Sequence, residues 1–178
     1  IIFLKWFPYD KRNDAISSAL NAECHFVSVF KKRTYWNAPI RYVVQFFKTI
    51  VLLAGKRPDV VIVTNPPIFA AGTVALYCVL SNSRYIIDSH SGAFGGKWKK
   101  FDAAHKILSR KALVNISTNT TFENIYRKWN ARAMIISDLV FEMPKTNDIE
   151  LGKYFNIVCI CSFDMDEPIE EIILAAGE

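Results

Sequence analysis

The stretch Arg57-Pro58-Asp59-Val60-Val61-Ile62-Val63-Thr64-Asn65-Pro66-Pro67, continued by Tyr85-Ile86-Ile87-Asp88-Ser89-His90-Ser91-Gly92-Ala93-Phe94, decides the fold. Val60 to Val63 is a short β-branched run bounded by turn-forming residues, the pattern of a buried strand. Ile68 to about Leu80 is small and apolar nearly all round, which predicts a buried helix. Tyr85 to Asp88 is the next strand. Two apolar strands joined by a helical crossover make a βαβ unit, and that unit requires a parallel sheet covered on both faces. Polar groups collect after both strands, at Thr64-Asn65 and at Asp88-Ser89-His90-Ser91. In open α/β sheets this carboxyl edge is where ligands bind.

The rest of the chain extends the pattern. Ile1 to Phe7 reads as the first strand and Cys24 to Phe30 as the second. Asn13 or Asp14 is placed to cap a helix reaching about Asn21. A helix from Pro39 to Ala54, closed by Gly55, carries Val43, Val44, Phe47, Ile50, Val51 and Ala54 at a spacing that predicts a broad buried face, with Phe46 and Leu53 near its edges. A helix over about 101–111, a strand at 113–117, a helix capped at Thr118-Asn119-Thr120 and a strand at 133–136 complete an α/β domain with helices on both faces of a Rossmann-like parallel sheet. The polar stretch 141–154 reads as a linker. At 155–178 the pattern restarts with a strand, Asn156 to Cys161, and a helix from Ile169. That restart predicts the first strand and helix of a truncated second domain.

The chain has 178 residues, half of them hydrophobic, ample for one buried core. Its charge is uneven: net +7 over residues 1–57, +6 over 58–137 and −8 over 138–178. A basic body predicts an anionic partner. The cysteines Cys24, Cys78, Cys159 and Cys161 form no zinc-type spacing and read as reduced thiols of a cytosolic protein. The uncharged span 60–83 is broken by Asn65-Pro66-Pro67 and Ser81-Asn82-Ser83, too short between them to cross a bilayer. Ile1 to Trp6 is likewise too short for a signal peptide.

The chemical candidates lie at the strand ends. His90 beside Asp88, Ser89 and Ser91 is suited to act as a base or to bind a ligand hydroxyl; the alternative is a locally hydrogen-bonded loop. His25 and His105 read as structural. The glycines from Gly92 onward could offer backbone N–H groups to a phosphate, although they fit neither a Walker loop nor GxGxxG. Lys31-Lys32-Arg33 with Trp36, and Lys97-Trp98-Lys99-Lys100, mix cations with aromatic rings. That mixture suits an anionic membrane surface or, less well, single-stranded nucleic acid; the alternative is ordinary solvated loops. No residue pattern predicts a metal site.

The ordered set Lys56-Arg57-Pro58-Asp59-Val60-Val61-Ile62-Val63-Thr64-Asn65-Pro66-Pro67, then Ile86-Ile87-Asp88-Ser89-His90-Ser91-Gly92-Ala93-Phe94, then Ile116-Ser117-Thr118-Asn119-Thr120, resembles the N-terminal, acceptor-side half of a GT-B fold, specifically of bacterial family-4-like glycosyltransferases. The restart near Val158 and Asp166-Glu167-Pro168 resembles the opening of that family's second domain. A glycine-rich turn common after the family's first strand is replaced here by Phe7-Pro8-Tyr9-Asp10. The resemblance implies transfer of a sugar from a nucleotide-sugar donor to a lipid-linked or saccharide acceptor in cell-surface polysaccharide or glycolipid synthesis, without a metal. It implies His90 and Asp10 as catalytic residues and Asn65, Asp88, Ser91, Gly92 and Asn119 as acceptor-binding residues. Lys31, Lys32, Arg33, Trp36, Lys97, Trp98, Lys99 and Lys100 would contact the membrane. This chain would hold no cofactor; the nucleotide-sugar would bind a C-terminal donor domain or a partner subunit. The place implied is the cytoplasm, peripheral on the inner face of the membrane. The alternative is a non-catalytic membrane-docking or acceptor-binding subunit of a two-component enzyme.

Overall fold

The computed structural model describes residues 1–30, 34, 36–137, 153, 156, 158 and 169–177. The chain divides into two units, Ile1–Val140 and Phe141–Glu178. In the second, the described element is helix α6, Ile169–Ala176. The expected linker at 141–154 and the expected strand at 156–161, with Cys159 and Cys161, fall outside the described residues apart from Lys153, Asn156 and Val158.

The first unit is a six-stranded, all-parallel sheet. In chain order its elements are β1 (Ile2–Lys5), α1 (Lys11–Ala19), β2 (Glu23–Phe26), α2 (Ala38–Lys56), β3 (Val60–Asn65), α3 (Ile68–Ser81), β4 (Arg84–Ser89), α4 (Asp102–Lys111), β5 (Asn115–Ser117), α5 (Thr120–Lys128) and β6 (Ala133–Ile135). The strands lie in the order β2-β1-β3-β4-β5-β6. The expected α/β, Rossmann-like arrangement is the observed one. Side chains alternate across the sheet, as pleating requires. Val61, Val63, Tyr85 and Ile87 join Leu53 and Tyr77 of α2 and α3 in one core. Phe3 and Ile62 face the other way, against Ile16 of α1.

Several local expectations change. The cap of α1 is Asp10, whose carboxylate accepts from the backbone N–H of Arg12 (2.9 Å) and Asn13 (3.2 Å), so the helix starts earlier than Asn13. Helix α2 runs through Gly55 and ends where Arg57 takes the left-handed conformation (φ 47°) before Pro58. Its inward face is Gln45, Thr49 and Leu53, supported by Tyr42, Phe46 and Ile50; Val43, Phe47 and Val51 point to solvent. The two buried polar residues each bond to a distant segment. Gln45 donates to the Val27 carbonyl (2.7 Å), and Trp6 Nε1 donates to Thr49 Oγ1 (2.8 Å). Buried polar groups with partners cost little. The basic segment that could have been an ordinary solvated loop is a 3-10 turn, Gly96–Phe101, held by Trp98 and Phe101 packing on the core. Cys78 is buried and Cys24 half-buried on the edge strand β2; both are free thiols.

Candidate functional site

The strand order reverses between β1 and β3. From β1 the chain moves outward to β2, and from β3 it moves the opposite way to β4. Connections leaving in opposite directions open a crevice at the carboxyl edge, where such sheets take their ligands. The residues ending β1, β3 and β4 therefore meet at one place.

From β1 comes Lys5, a buried cation at the end of an apolar strand, ion-paired to Asp10. From the first turn of α1 comes Arg12, also buried. Its guanidinium donates to the carbonyls of Ser137 (3.0 Å) and Ile136 (2.9 Å) and lies 3.6 Å from Asp88 Oδ1. From β4 comes Asp88, fully buried, with Oδ2 3.7 Å from His90 Nε2. Among the described residues, neither Asp88 oxygen nor His90 Nε2 has a hydrogen-bond partner. The His90 N–H is tied to the Asn65 carbonyl (3.0 Å), which fixes the imidazole's attachment point. Asn13 donates to Thr64 Oγ1 (2.6 Å), closing the space between α1 and β3.

Burial sets the protonation pattern. Desolvation pushes the Asp88 carboxyl upward against the pull of His90 and Arg12. Desolvation pushes His90 downward against the pull of Asp88, so the imidazole is neutral near pH 7. Asp10 is raised by desolvation but lowered more by Lys5 and by its hydrogen bond from Asn13; the net direction is down. A carboxylate held that way is a weak base. A neutral, half-buried histidine is the better proton acceptor.

Beneath the crevice lies a second network. Asn65 Nδ2 is 3.1 Å from His105 Nε2 and 3.3 Å from Ser89 Oγ, and Tyr126 donates to Ser89 Oγ at 2.6 Å. His105 is buried, and desolvation lowers it to about 4. Above it, Phe94 stacks on Phe122 (4.5 Å between centroids, 6° between planes) and meets His105, Tyr126 and Trp129. This aromatic plug anchors the far end of the turn that carries Ser91 and Gly92.

The expected site residues divide accordingly. Asp10, Asp88 and His90 are brought together. Asn65 is buried below them, preceding consecutive cis Asn65–Pro66 and Pro66–Pro67 peptides. Ser91 and Gly92 are exposed on the turn. Asn119 is exposed with its side-chain oxygen engaged by the Phe122 N–H (3.1 Å) as the cap of α5. Lys97, Lys99, Lys100 and Trp36 are exposed, whereas Trp98 is half-buried between Phe69 and Phe101. Lys31, Lys32 and Arg33 lie outside the described residues. Ser89, expected beside His90, is buried in the lower network, and Lys5, Arg12, His105 and Tyr126 join the site unforeseen. A lone Lys ending an apolar strand was the one visible signal for any of them. Among the described residues no group of three or more His, Cys, Asp or Glu could hold a metal.

His105 gives a pH test. Its folded pKa lies below the unfolded value of about 6.5, so its share of stability is complete above that value and is lost as pH falls toward about 4. The expected loss from His105 between pH 7 and pH 5 is about 2 kcal/mol. Urea unfolding of wild type and His105→Gln at both pH values should show the variant losing less on acidification. Equal losses would remove His105 from the account.

No protein-family model matches the chain, and no curated protein matches its sequence. Among solved structures, Glycyrrhiza uralensis UGT73P12 complexed with glycyrrhetinic acid 3-O-monoglucuronide is similar, with a TM-score of 0.51 at 10% identity. The match covers 76% of this chain and 42% of that one, so the chain spans well under half the length of its structural neighbour. The likeness is one of fold, a parallel sheet in a Rossmann-like α/β arrangement.

Proposed function

We propose that this chain is the acceptor-side half of a glycosyltransferase of the GT-B, family-4-like kind. The single observation carrying this reading is the Asp88–His90 pair at the strand-order reversal, beside Lys5, Asp10 and Arg12. His90 takes the proton of an acceptor hydroxyl as that oxygen attacks the anomeric carbon of the donor sugar, and the nucleoside diphosphate leaves with the bonding pair. Asp88 orients the imidazole and stabilises its charged form, and Arg12 favours the ionised form of Asp88 in the resting state. Asp10 holds Lys5 and the start of α1. Ser91 and Gly92, exposed on the turn, meet the acceptor; Asn65 and Asn119 shape the floor and rim. The acceptor is a saccharide or lipid-linked saccharide of cell-surface polysaccharide or glycolipid synthesis. The nucleotide-sugar donor binds a C-terminal donor domain or a partner subunit. On this reading the protein works in the cytoplasm, on the inner face of the membrane.

The test is an amide NMR titration of the 178-residue chain. An oligosaccharide acceptor should shift His90, Ser91 and Gly92, while a nucleoside diphosphate sugar should leave them unmoved. Shifts caused by the nucleotide and not by the saccharide would overturn the assignment of this half to the acceptor.

A further inference from the structure

The outward side of α2 has no partner within the described residues, and it is apolar. Ile40, Val43, Phe47 and Val51 are 62%, 56%, 61% and 71% exposed. At 3.6 residues per turn they form a single stripe over most of the helix. The neighbouring helix α3 repeats the arrangement with exposed Leu76, Val79 and Leu80, and it carries no charged residue. The two helices touch through Tyr42 and Phe69, whose rings are 5.0 Å apart. Solvent-facing apolar stripes on two adjacent helices mark an interaction surface.

The charges around the stripe select the occupant. Helix α2 contains Arg41, Lys48 and Lys56 and no carboxylate; from 38 to 81 the one acidic residue is Asp59, in the α2–β3 connection. Lys56 is paired with Glu23, but Lys48 stands exposed beside Phe47. Near the start of α3, Phe69 packs against Trp98, and the turn holding Trp98 exposes Lys97, Lys99 and Lys100. A second copy meeting this surface would bring cations against cations with no counter-charge. An anionic bilayer surface matches both components: apolar side chains enter the headgroup boundary while lysine and arginine meet lipid phosphates.

Helix α2 is, among the described residues, the one helix long and apolar enough to cross a membrane by length and composition. Crossing would strip Gln45 and Thr49 of their partners on Val27 and Trp6, so the helix lies along the membrane rather than through it. We propose that the outward stripe of α2, extended by α3 and the lysines at 97, 99 and 100, is the surface that docks this chain on an anionic membrane. This deepens the proposed function by naming the docking face, and it shifts the main apolar contact from the basic loops to the helix. Because α2 begins at the carboxyl edge of the sheet, the docked crevice opens beside the bilayer, where a lipid-linked acceptor would arrive.

The experiment is vesicle co-sedimentation of the full chain, with phosphatidylglycerol and phosphatidylcholine in equal parts compared with phosphatidylcholine alone. Wild type should bind the anionic vesicles and release them as salt rises. The Val43→Ser/Phe47→Ser/Val51→Ser variant should bind at least about tenfold more weakly, since each apolar side chain withdrawn from the bilayer counts for up to about that factor. All three residues are more than half exposed, and native circular dichroism is the check on folding. Should that variant not fold, Val51→Glu alone should produce a several-fold loss. Wild-type binding by the folded triple variant would overturn the proposal. So would a dimer in sedimentation equilibrium that the variant dissolves while wild type ignores vesicles. The readout needs no sugar: a chain that docks but takes no saccharide sinks the acceptor reading and leaves the surface standing, and the reverse result sinks the surface alone.

Discussion

His90→Ala, assayed in a full enzyme containing both halves, should lower kcat by about a hundredfold to a thousandfold with little change in acceptor KM. A positioned general base contributes on this scale because it accepts a proton in the transition state and not before. The structure supplies the geometry for that role: Nε2 faces Asp88 at 3.7 Å, while the ring remains 28% exposed at the lip of the crevice. The pH profile gives an independent reading. Burial lowers His90, so the rate should rise with pH through an acid limb lying below the ordinary histidine value. Asp88 raises His90, so Asp88→Asn should move that limb to still lower pH while reducing kcat. Steady-state kinetics across pH 5 to 8, about the span in which histidine titrates, measures both. Full turnover in His90→Ala, or a limb unmoved by Asp88→Asn, would end the catalytic assignment.

The sequence foretold the frame better than the side chains. The β-branched runs at 60–63 and 85–88, with an apolar helix between them, allow almost no arrangement other than a parallel sheet, and the crevice follows from connectivity. The inward face of α2 was not legible. Apolar residues lie on more than one side of this helix, so periodicity offers two stripes, and the more hydrophobic one is the one left to solvent. Gln45 and Thr49 are buried because Val27 and Trp6 supply their hydrogen bonds, and such long-range partners leave no mark on local spacing. Asp10 was visible as a polar residue after the first strand. Its role as a helix cap paired with Lys5 required seeing where α1 begins. His105 read as a structural histidine from its place on a helix, and it is buried as expected. That it supports Asn65 and Ser89 directly beneath the crevice depends on the crossing of α4 over the sheet.

Arg12 offers the largest effect on stability. It is buried beside a fully buried carboxylate, and removing one member of such a pair strands the other's charge. Arg12→Met keeps most of the side-chain volume and should cost about 3–5 kcal/mol at pH 7. Two causes contribute: the bonds to the Ser137 and Ile136 carbonyls are lost, and Asp88 loses its cation. They separate by chemistry. Asp88→Asn in the Arg12→Met background should restore the part due to charge and leave the carbonyl part. They also separate by pH. Desolvation already raises Asp88, so the native state holds its proton more tightly than the unfolded chain does. The cost of its charge is therefore complete above the folded pKa and disappears as pH falls toward the ordinary carboxylate value. Arg12→Met should accordingly lose least, relative to wild type, in mild acid. Denaturant unfolding of the two single variants and the double variant at pH 7 and pH 5 forms the cycle. A loss identical in the Asp88→Asn background and independent of pH would show that Arg12 acts through its two carbonyls alone. The buried carboxylate would then depend on His90 and Lys5, and the charge balance of the crevice would have to be redrawn around them.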